Sequence, residues 1–334
     1  MRGVVAAAVL LGMCSGLAGA DAASADDGPR PERGTISFLF ENDIFYRTDR
    51  DYTNGVLLAW TSAPADTPDF AVRWARALPF FAQSGEVRTS VALGQDIYTP
   101  DNIKLANPPP GARPYAGFLY ANFGLIDKTE SRLDQLQLTL GVVGPDSLAE
   151  ETQKFVHKLL GDQTPEGWRT QLRNEPGVVL TYERSWKLIP PRSFAGLLFD
   201  VEPHAGAAVG NVYDYVNAGA MARIGFPLPD DYGPLRIEPS LPGSNFFEPA
   251  GQFGIYAFVG VDGRAVARNL FLDGNTWTAS RHVDKNVFVG DLQLGAAITT
   301  RSWRLTFTHV FRTKEFCTQK NSDQFGAINL SIRY

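Results

Sequence analysis

Every second residue of the segment that closes this chain is apolar: Ile328, Leu330, Ile332 and Tyr334 interleave with Asn329, Ser331 and Arg333. Period-two patterning marks a strand with one apolar and one polar face. A strand that stops on its outward aromatic has the terminal pattern of outer-membrane barrels. Trp303, Leu305, Phe307, His309 and Phe311 repeat the alternation against Arg304, Thr306, Thr308, Val310 and Arg312. Similar segments fall near 35–41, 53–62, 89–98, 116–126, 133–143, 178–186, 196–209, 213–226, 255–267 and 287–299. That makes about twelve, an even number, as a closed bacterial barrel requires. Closure also removes the unpaired strand edges that a membrane would penalise. Many of these strands exceed the five or six residues usual in soluble sheets. The fold class expected is therefore all-β, a transmembrane antiparallel up-and-down β-barrel, in preference to a periplasmic β-sandwich.

The N-terminus fits that compartment. Met1-Arg2 precedes an apolar run from Val4 to Met13 and then small residues ending Leu17-Ala18-Gly19-Ala20, which reads as a secretory signal peptide. Residues 1–20 are taken as the leader and 21–334 as the barrel, with Ala23 a second cleavage position. Met13 is a poor residue to precede a lipidated Cys14. With Cys14 removed, Cys317 stands alone and forms no internal disulfide. The formal charge is −5, and losing Arg2 makes the mature chain more acidic still, so nothing points to a nucleic-acid partner. No later apolar run approaches the eighteen or so residues of a membrane helix.

With both termini in the periplasm, connections after odd-numbered strands face the cell exterior and those after even-numbered strands face inward. Connections 128–132, 187–192 and 300–302 are short. The stretches 63–88, with an amphipathic pattern near 70–78, and 227–253, rich in Pro and Gly, are long for periplasmic turns; one of them is expected against the inner membrane surface.

Polar residues then gather at the outward rim. The first hairpin joins its strands through a turn containing Asn42, Asp43, Asp49, Asp51, Tyr52, Thr53 and Asn54. A hairpin turn needs only a Gly, Asn or Asp or two. Several carboxylates, amides and hydroxyls at one end of two strands are oxygen ligands suited to a hard cation; the plain alternative is a solvated loop tip. Gln95, Asp96, Tyr98 and Thr99 finish the third strand, and Arg113 and Tyr115 precede the fourth. A helical loop is expected over about 144–176. Phe155, Leu159 and Leu160 fall at helical spacing there, ending near Gly161, with Ser147 and Glu150 spaced as a capping box. Gln153 and His157 lie four residues apart on one face of that helix. A histidine oriented by a carboxylate or amide near a cation suits general-base activation of water; a surface histidine is the alternative. No Gly-x-Ser-x-Gly elbow appears.

Asn42-Asp43, Asp51-Tyr52-Thr53 with Gly55, Gln95-Asp96-Ile97-Tyr98 with Pro100, and Gly144-Pro145-Asp146 leading to His157 occur in that order. Together these strings resemble the outer-membrane lipid A 3′-O-deacylases, over most of 35–168 and more loosely to the C-terminus. The resemblance implies a twelve-stranded barrel whose extracellular rim hydrolyses the ester-linked 3′ acyloxyacyl group of lipid A with Ca²⁺ dependence. It implies that Asn42, Asp43, Thr53 and His157 belong to the active site. On that basis His157 would deprotonate water, Asp43 and Asn42 would hold Ca²⁺, Thr53 and Gln153 would position substrate or water, and Lys104 would pair with a lipid A phosphate. One departure stands out: Asp162-Gln163 occupies the place where some relatives carry a glutamate near the helix end.

The expected partners are lipid A or lipopolysaccharide, outer-membrane lipids and the barrel assembly machinery, with the chain a monomer in the outer membrane and its site facing the exterior. Two other readings use the same frame: a Ca²⁺-dependent phospholipase, and a non-catalytic pore or assembly barrel. The strings Asp262-Gly263-Arg264, Asp273-Gly274-Asn275-Thr276 and Val283-Asp284-Lys285, and His309, carry no motif.

Overall fold

A computed structural model of the protein describes residues 32–43, 51–161, 163–237, 239 and 243–334, with the backbone alone at Asp51. The expected leader, Cys14, Asp49, Arg50 and Asp162 lie outside the described residues. The strands are β1 (Thr35–Asn42), β2 (Asp51–Thr61), β3 (Glu86–Thr99), β4 (Ala116–Lys128), β5 (Arg132–Val143), β6 (Glu175–Trp186), β7 (Ile189–Phe194), β8 (Leu197–Gly210), β9 (Tyr213–Phe226), β10 (Phe253–Asn269), β11 (Phe288–Thr300), β12 (Trp303–Arg312) and β13 (Asp323–Arg333). Each pairs antiparallel with its neighbour. β1 meets β13 from Thr35↔Arg333 to Asn42↔Gly326, and β6 meets β8 from Val179↔Gly210 to Ser185↔His204. The sheet therefore closes into a 12-strand barrel, and β7 stands outside the ring.

β7 corrects one expectation. The turn foreseen at 187–192 is the first arm of a hairpin, in which Ile189–Phe194 pairs with Leu197–Val201 beyond the end of β6. Ala195 and Gly196 both take positive φ, 50° and 81°, as a two-residue hairpin turn matched to strand twist demands.

Alternation decides which side each residue faces. Apolar residues such as Leu58, Leu93, Phe123, Leu180, Ile255, Leu294 and Phe307 are exposed on the outer wall. Charged residues of the barrel strands are buried in the lumen, among them Arg88, Asp200, Glu202, Arg223, Asp262, Arg264, Asp291, Arg304 and Arg312. An apolar exterior around a polar interior is what spanning a bilayer with strands requires. No helix among the described residues is long and apolar enough to cross a membrane, which says nothing of strands.

The long connection 227–252 does not lie on a membrane surface; it enters the lumen. Asp231 bridges Arg223 of β9 and Arg304 of β12, the Arg236 guanidinium meets Glu41 of β1 at 2.9 Å, and Gln135 of β5 donates to the Gly243 carbonyl at 3.1 Å. Phe246 and Phe247 lie beneath the guanidiniums of Arg88 and Arg304 at 4.5 and 5.1 Å. Buried guanidiniums need partners of this kind, since an unpaired charge in the interior is costly. The other long connection carries α1 (Asp69–Ala77) and packs on the outer wall, with Ala75, Phe81 and Val87 in one apolar cluster.

Asp262, Arg264 and Asp291 now have a structural account as lumen charges: Arg264 pairs with both carboxylates at 2.9 and 3.1 Å. Asp273 pairs with Lys285 at 2.9 Å. Asn275 and Thr276 donate to Glu175 and clasp the β10–β11 loop to β6. His309 stacks on Phe311 at 4.0 Å within the outer apolar set.

Candidate active site

The end of the barrel opposite the termini carries the β1–β2, β3–β4, β5–β6, β8–β9, β10–β11 and β12–β13 connections. At that rim β2 and β3 are out of step by one residue. Tyr52 sits opposite Tyr98 and Asn54 opposite Ile97, so Thr53 is the extra residue of a β-bulge. Tyr52 turns inward, where its hydroxyl donates to Glu41 at 3.0 Å and its ring meets the edge of Phe325 at 5.0 Å. Thr53 is instead held by the hydroxyl of Thr99, 2.7 Å away. Asn42 and Asn54 lie opposite each other in the β1–β2 ladder. They follow inward Glu41 and precede inward Gly55, so both face the outer side of the wall. Asn42, Asp43, Thr53, Asn54 and Thr99 are nonetheless all buried.

Polar residues on an outer wall can be buried only under a cover, and the β5–β6 loop supplies one over β3 and β4. Its helix, α2 (Ala149–Leu160), lies so close to β4 that a Cβ on Gly117 would fall 2.1 Å from Ser147 Oγ and 2.2 Å from Ala149 Cβ. Gln95 of β3 donates to the Ser147 carbonyl at 2.6 Å. Ile97, Ile103, Tyr115, Ala149 and Trp168 form the apolar contact beneath. The expected capping box is absent. Leu148, in left-handed conformation, is the N-cap, and the Ser147 hydroxyl donates instead to the Gly144 carbonyl at 2.6 Å. Phe155 and Leu159 point away from the wall and are exposed.

Ala149, Gln153 and His157 follow one another at intervals of four along the wall-side face of α2. Gln153 is buried, and its Oε1 accepts from Trp168 Nε1 at 2.8 Å. An indole N–H can only donate, so this bond fixes which end of the amide is oxygen. The Gln153 Nε2 that remains is buried without a hydrogen-bond partner, a donor left for a ligand. His157 is half-buried, with Nδ1 2.5 Å from the Gln163 carbonyl oxygen. A carbonyl only accepts, so the proton of the neutral ring belongs on Nδ1 and Nε2 is the basic nitrogen. The Gln163 carbonyl orients the ring.

The structure thus brings Asn42, Asp43 and Thr53 together at one rim, and links them through Thr99 to β3, the strand over which α2 carries Gln153 and His157. Lys104 lies apart on the β3–β4 loop, with its side chain exposed and its backbone amide bonded to Asn102 Oδ1 at 3.1 Å. Thr99 and Asn54 were visible in the sequence as rim polar residues but without a role, and Trp168 escaped it, although a tryptophan in an otherwise polar loop was a signal that it anchored something.

As for a metal, no group of three or more His, Cys, Asp or Glu suited to hold one occurs among the described residues. Among the described residues, the buried polar groups at the rim with Asp43 are the amide and hydroxyl oxygens of Asn42, Asn54, Thr53 and Thr99. That chemistry fits a hard, oxygen-seeking cation and does not fit a softer, nitrogen- or sulfur-seeking one.

An apolar-faced closed barrel with a polar lumen defines the class: an outer-membrane β-barrel. The model of the family described as Outer membrane protein LpxR matches residues 5–334, and the chain belongs to that family and to the outer membrane. Among solved structures it is similar to LpxR from Salmonella typhimurium, with a TM-score of 0.72 and 21% identity, over 90% of this chain and 100% of that one. It is more distantly similar to the beta domain of the Bordetella autotransporter BrkA, with a TM-score of 0.44, 9% identity and coverage of 91% and 100%. The KdgM porin follows, with a TM-score of 0.37, 5% identity and coverage of 90% and 99%. A comparison with curated protein sequences found no match.

Proposed function

We propose that this protein is an esterase that removes the 3′-O-linked acyloxyacyl group from lipid A, with its site on the extracellular rim. The observation that carries the reading is the pair His157–Gln163: the carbonyl holds the imidazole in the tautomer whose Nε2 takes a proton from water. The hydroxide so formed adds to the ester carbonyl carbon. The oxyanion then develops beside the buried Gln153 Nε2, a fixed donor of the type that stabilises such charge. Collapse breaks the bond to the 3′ oxygen, which takes back the proton from His157 Nε2 and leaves as the sugar hydroxyl, while the acyl chain leaves as a carboxylic acid.

Thr53, bonded to Thr99, lines the same rim and positions substrate or water. Asp43, with Asn42 and neighbouring oxygens, would hold Ca²⁺, and when bound the ion would supply Lewis-acid polarisation of the ester carbonyl. Lys104, exposed on the adjoining loop, would meet a lipid A phosphate. All these residues belong to one rim of one chain, so the reading needs only a monomer inserted by the barrel assembly machinery among outer-membrane lipids, with lipopolysaccharide as substrate. The pore alternative is disfavoured, because described residues of 227–252 such as Asp231, Arg236 and Phe247 occupy the lumen, where the cavity lined by Asp96, Glu183 and Arg236 measures about 70 Å³, room for a few waters.

The test is mass spectrometry of lipid A from cells expressing the protein or His157→Ala, with and without a Ca²⁺ chelator. Loss of the 3′ acyloxyacyl mass with the unmodified protein alone, abolished by chelation and restored by Ca²⁺, is the expected result. Unchanged lipid A from correctly inserted protein supplied with Ca²⁺ would sink the reaction, and activity in His157→Ala would sink the mechanism.

A further inference from the structure

The end of the barrel near the termini carries a ring of exposed, outward aromatics. Trp60 closes β2, Trp186 closes β6, Phe194 closes β7, Phe226 closes β9, Phe253 opens β10, Trp303 opens β12, and Tyr334 follows β13. Trp60 Nε1 donates to the Tyr334 hydroxyl at 2.7 Å, tying two of them across β1. A band of this kind sits where hydrocarbon meets headgroups, because an aromatic ring with a polar handle is at home at that boundary.

The ring has a gap. On β3, β4 and β5 the outward positions at this end are Val87, Asp127, Arg132 and Asp134, and the carboxylates of Asp127 and Asp134 face each other across the β4–β5 ladder. Neither carboxylate is exposed. Asp127 is met by Arg76 at 3.3 Å and by the Ala82 amide at 2.5 Å; Asp134 is met by Arg132 at 2.8 Å, by Arg184 at 2.6 Å and by the Tyr182 hydroxyl at 2.6 Å. Two charges on the lipid side of a barrel wall would be costly, and the 63–85 connection covers them. α1 turns Ala71 and Ala75 to the wall. About 100° round the helix from them, Phe70 and Trp74 are 50% and 66% exposed and meet edge-to-face at 5.5 Å. They project where β3–β5 lack an aromatic of their own.

We infer that α1 completes the interfacial girdle: Phe70 and Trp74 insert into the phospholipid headgroup–acyl boundary on the side of the chain termini, over the sector where the strands cannot. The occupant is lipid because the face is continuous with the lipid-facing wall. Val91, Leu93 and Phe123 of β3 and β4, exposed on the same outer surface, run from beneath α1 toward the rim. The helix thereby converts a polar seam into lipid-compatible surface, as an amphipathic helix lying in the membrane plane does. This inference does not depend on the esterase reading.

The test compares the full-length protein with Trp74→Phe in phosphatidylethanolamine–phosphatidylglycerol vesicles, so that the difference in emission isolates Trp74. Vesicles with lipids brominated near the acyl carbonyl are expected to quench that difference signal, and aqueous iodide is expected to leave it intact. Quenching by iodide but not by brominated lipid would overturn the inference by placing Trp74 in water. Protection from both quenchers would overturn it too, by showing that protein covers the face. Unchanged heat-modified migration of the variant on gels establishes that the barrel remains folded in either case.

Discussion

Arg236, midway along the segment that fills the lumen, places its guanidinium 2.9 Å from the carboxylate of Glu41, the last inward residue of β1. Glu41 also accepts from Tyr52 at 3.0 Å, and the next residue, Asn42, faces the candidate site on the other side of the wall. One buried ion pair thus ties the lumen segment to the strand end that shapes the site.

Removing one partner of such a pair leaves a buried charge uncompensated. Arg236→Ala is expected to lower barrel stability by about 3–5 kcal/mol. Arg236→Met combined with Glu41→Gln, which removes both charges and keeps much of the volume, is expected to recover most of the loss. Denaturant midpoints in detergent micelles would check both, and an Arg236→Ala midpoint equal to the parent's would show that the pair contributes nothing.

Gly117 is where the loop helix comes closest to the wall. A methyl group there meets Ser147 Oγ and Ala149 Cβ at little more than 2 Å, so Gly117→Ala is expected to push α2 outward and carry Gln153 and His157 with it. A displacement of about 1 Å at reacting groups costs on the order of a hundredfold in rate. The expected outcome is a barrel with parental heat-modified migration and an acyl release reduced by about that factor. Full activity would mean that the helix tolerates the shift.

Glu315 and Arg113 join the β12–β13 and β3–β4 loops through a buried contact of 2.7 Å. Burial by itself would push the Glu315 carboxyl up, but Arg113 and Arg312 outweigh it and hold its pKa below the ordinary glutamate value. A carboxyl depressed in the folded state stabilises the fold fully above its unfolded pKa, about 4.3, and that contribution is lost as pH falls through the folded value. The melting-temperature difference between the parent and Glu315→Gln is therefore expected to be large at pH 7 and to shrink below about pH 4. A difference independent of pH would remove the pair as its cause.

The barrel was legible because alternation is a local property: Trp303 to Arg312 shows its two faces without any knowledge of its neighbours. β7 was hidden because Pro190 and Pro191 lack the N–H groups that a ladder uses, so the segment reads as a turn. The lumen segment was hidden for a different reason. Its Pro and Gly content reads as an exposed connection, and only the inward arginines of β9 and β12, which had to find carboxylates somewhere, hinted that Asp231 would be brought inside. At the rim the residue types were visible in order, but the contacts that hold them were not. Thr53 meets Thr99 only because a bulge shifts the register. Ser147 gives its hydroxyl to Gly144 rather than to the helix, and His157 rests on the backbone of Gln163, which no side-chain pattern encodes.

Asn42 and Thr53 lie on the membrane side of the wall rather than in its bore, and this changes how a substrate would arrive. A lipid reaches such a site by sliding within its own leaflet, without ever being extracted into water. Encounter is then two-dimensional, and turnover follows the mole fraction of substrate in the leaflet rather than its amount per volume of suspension. Inert lipid would act as a competitor simply by taking up area.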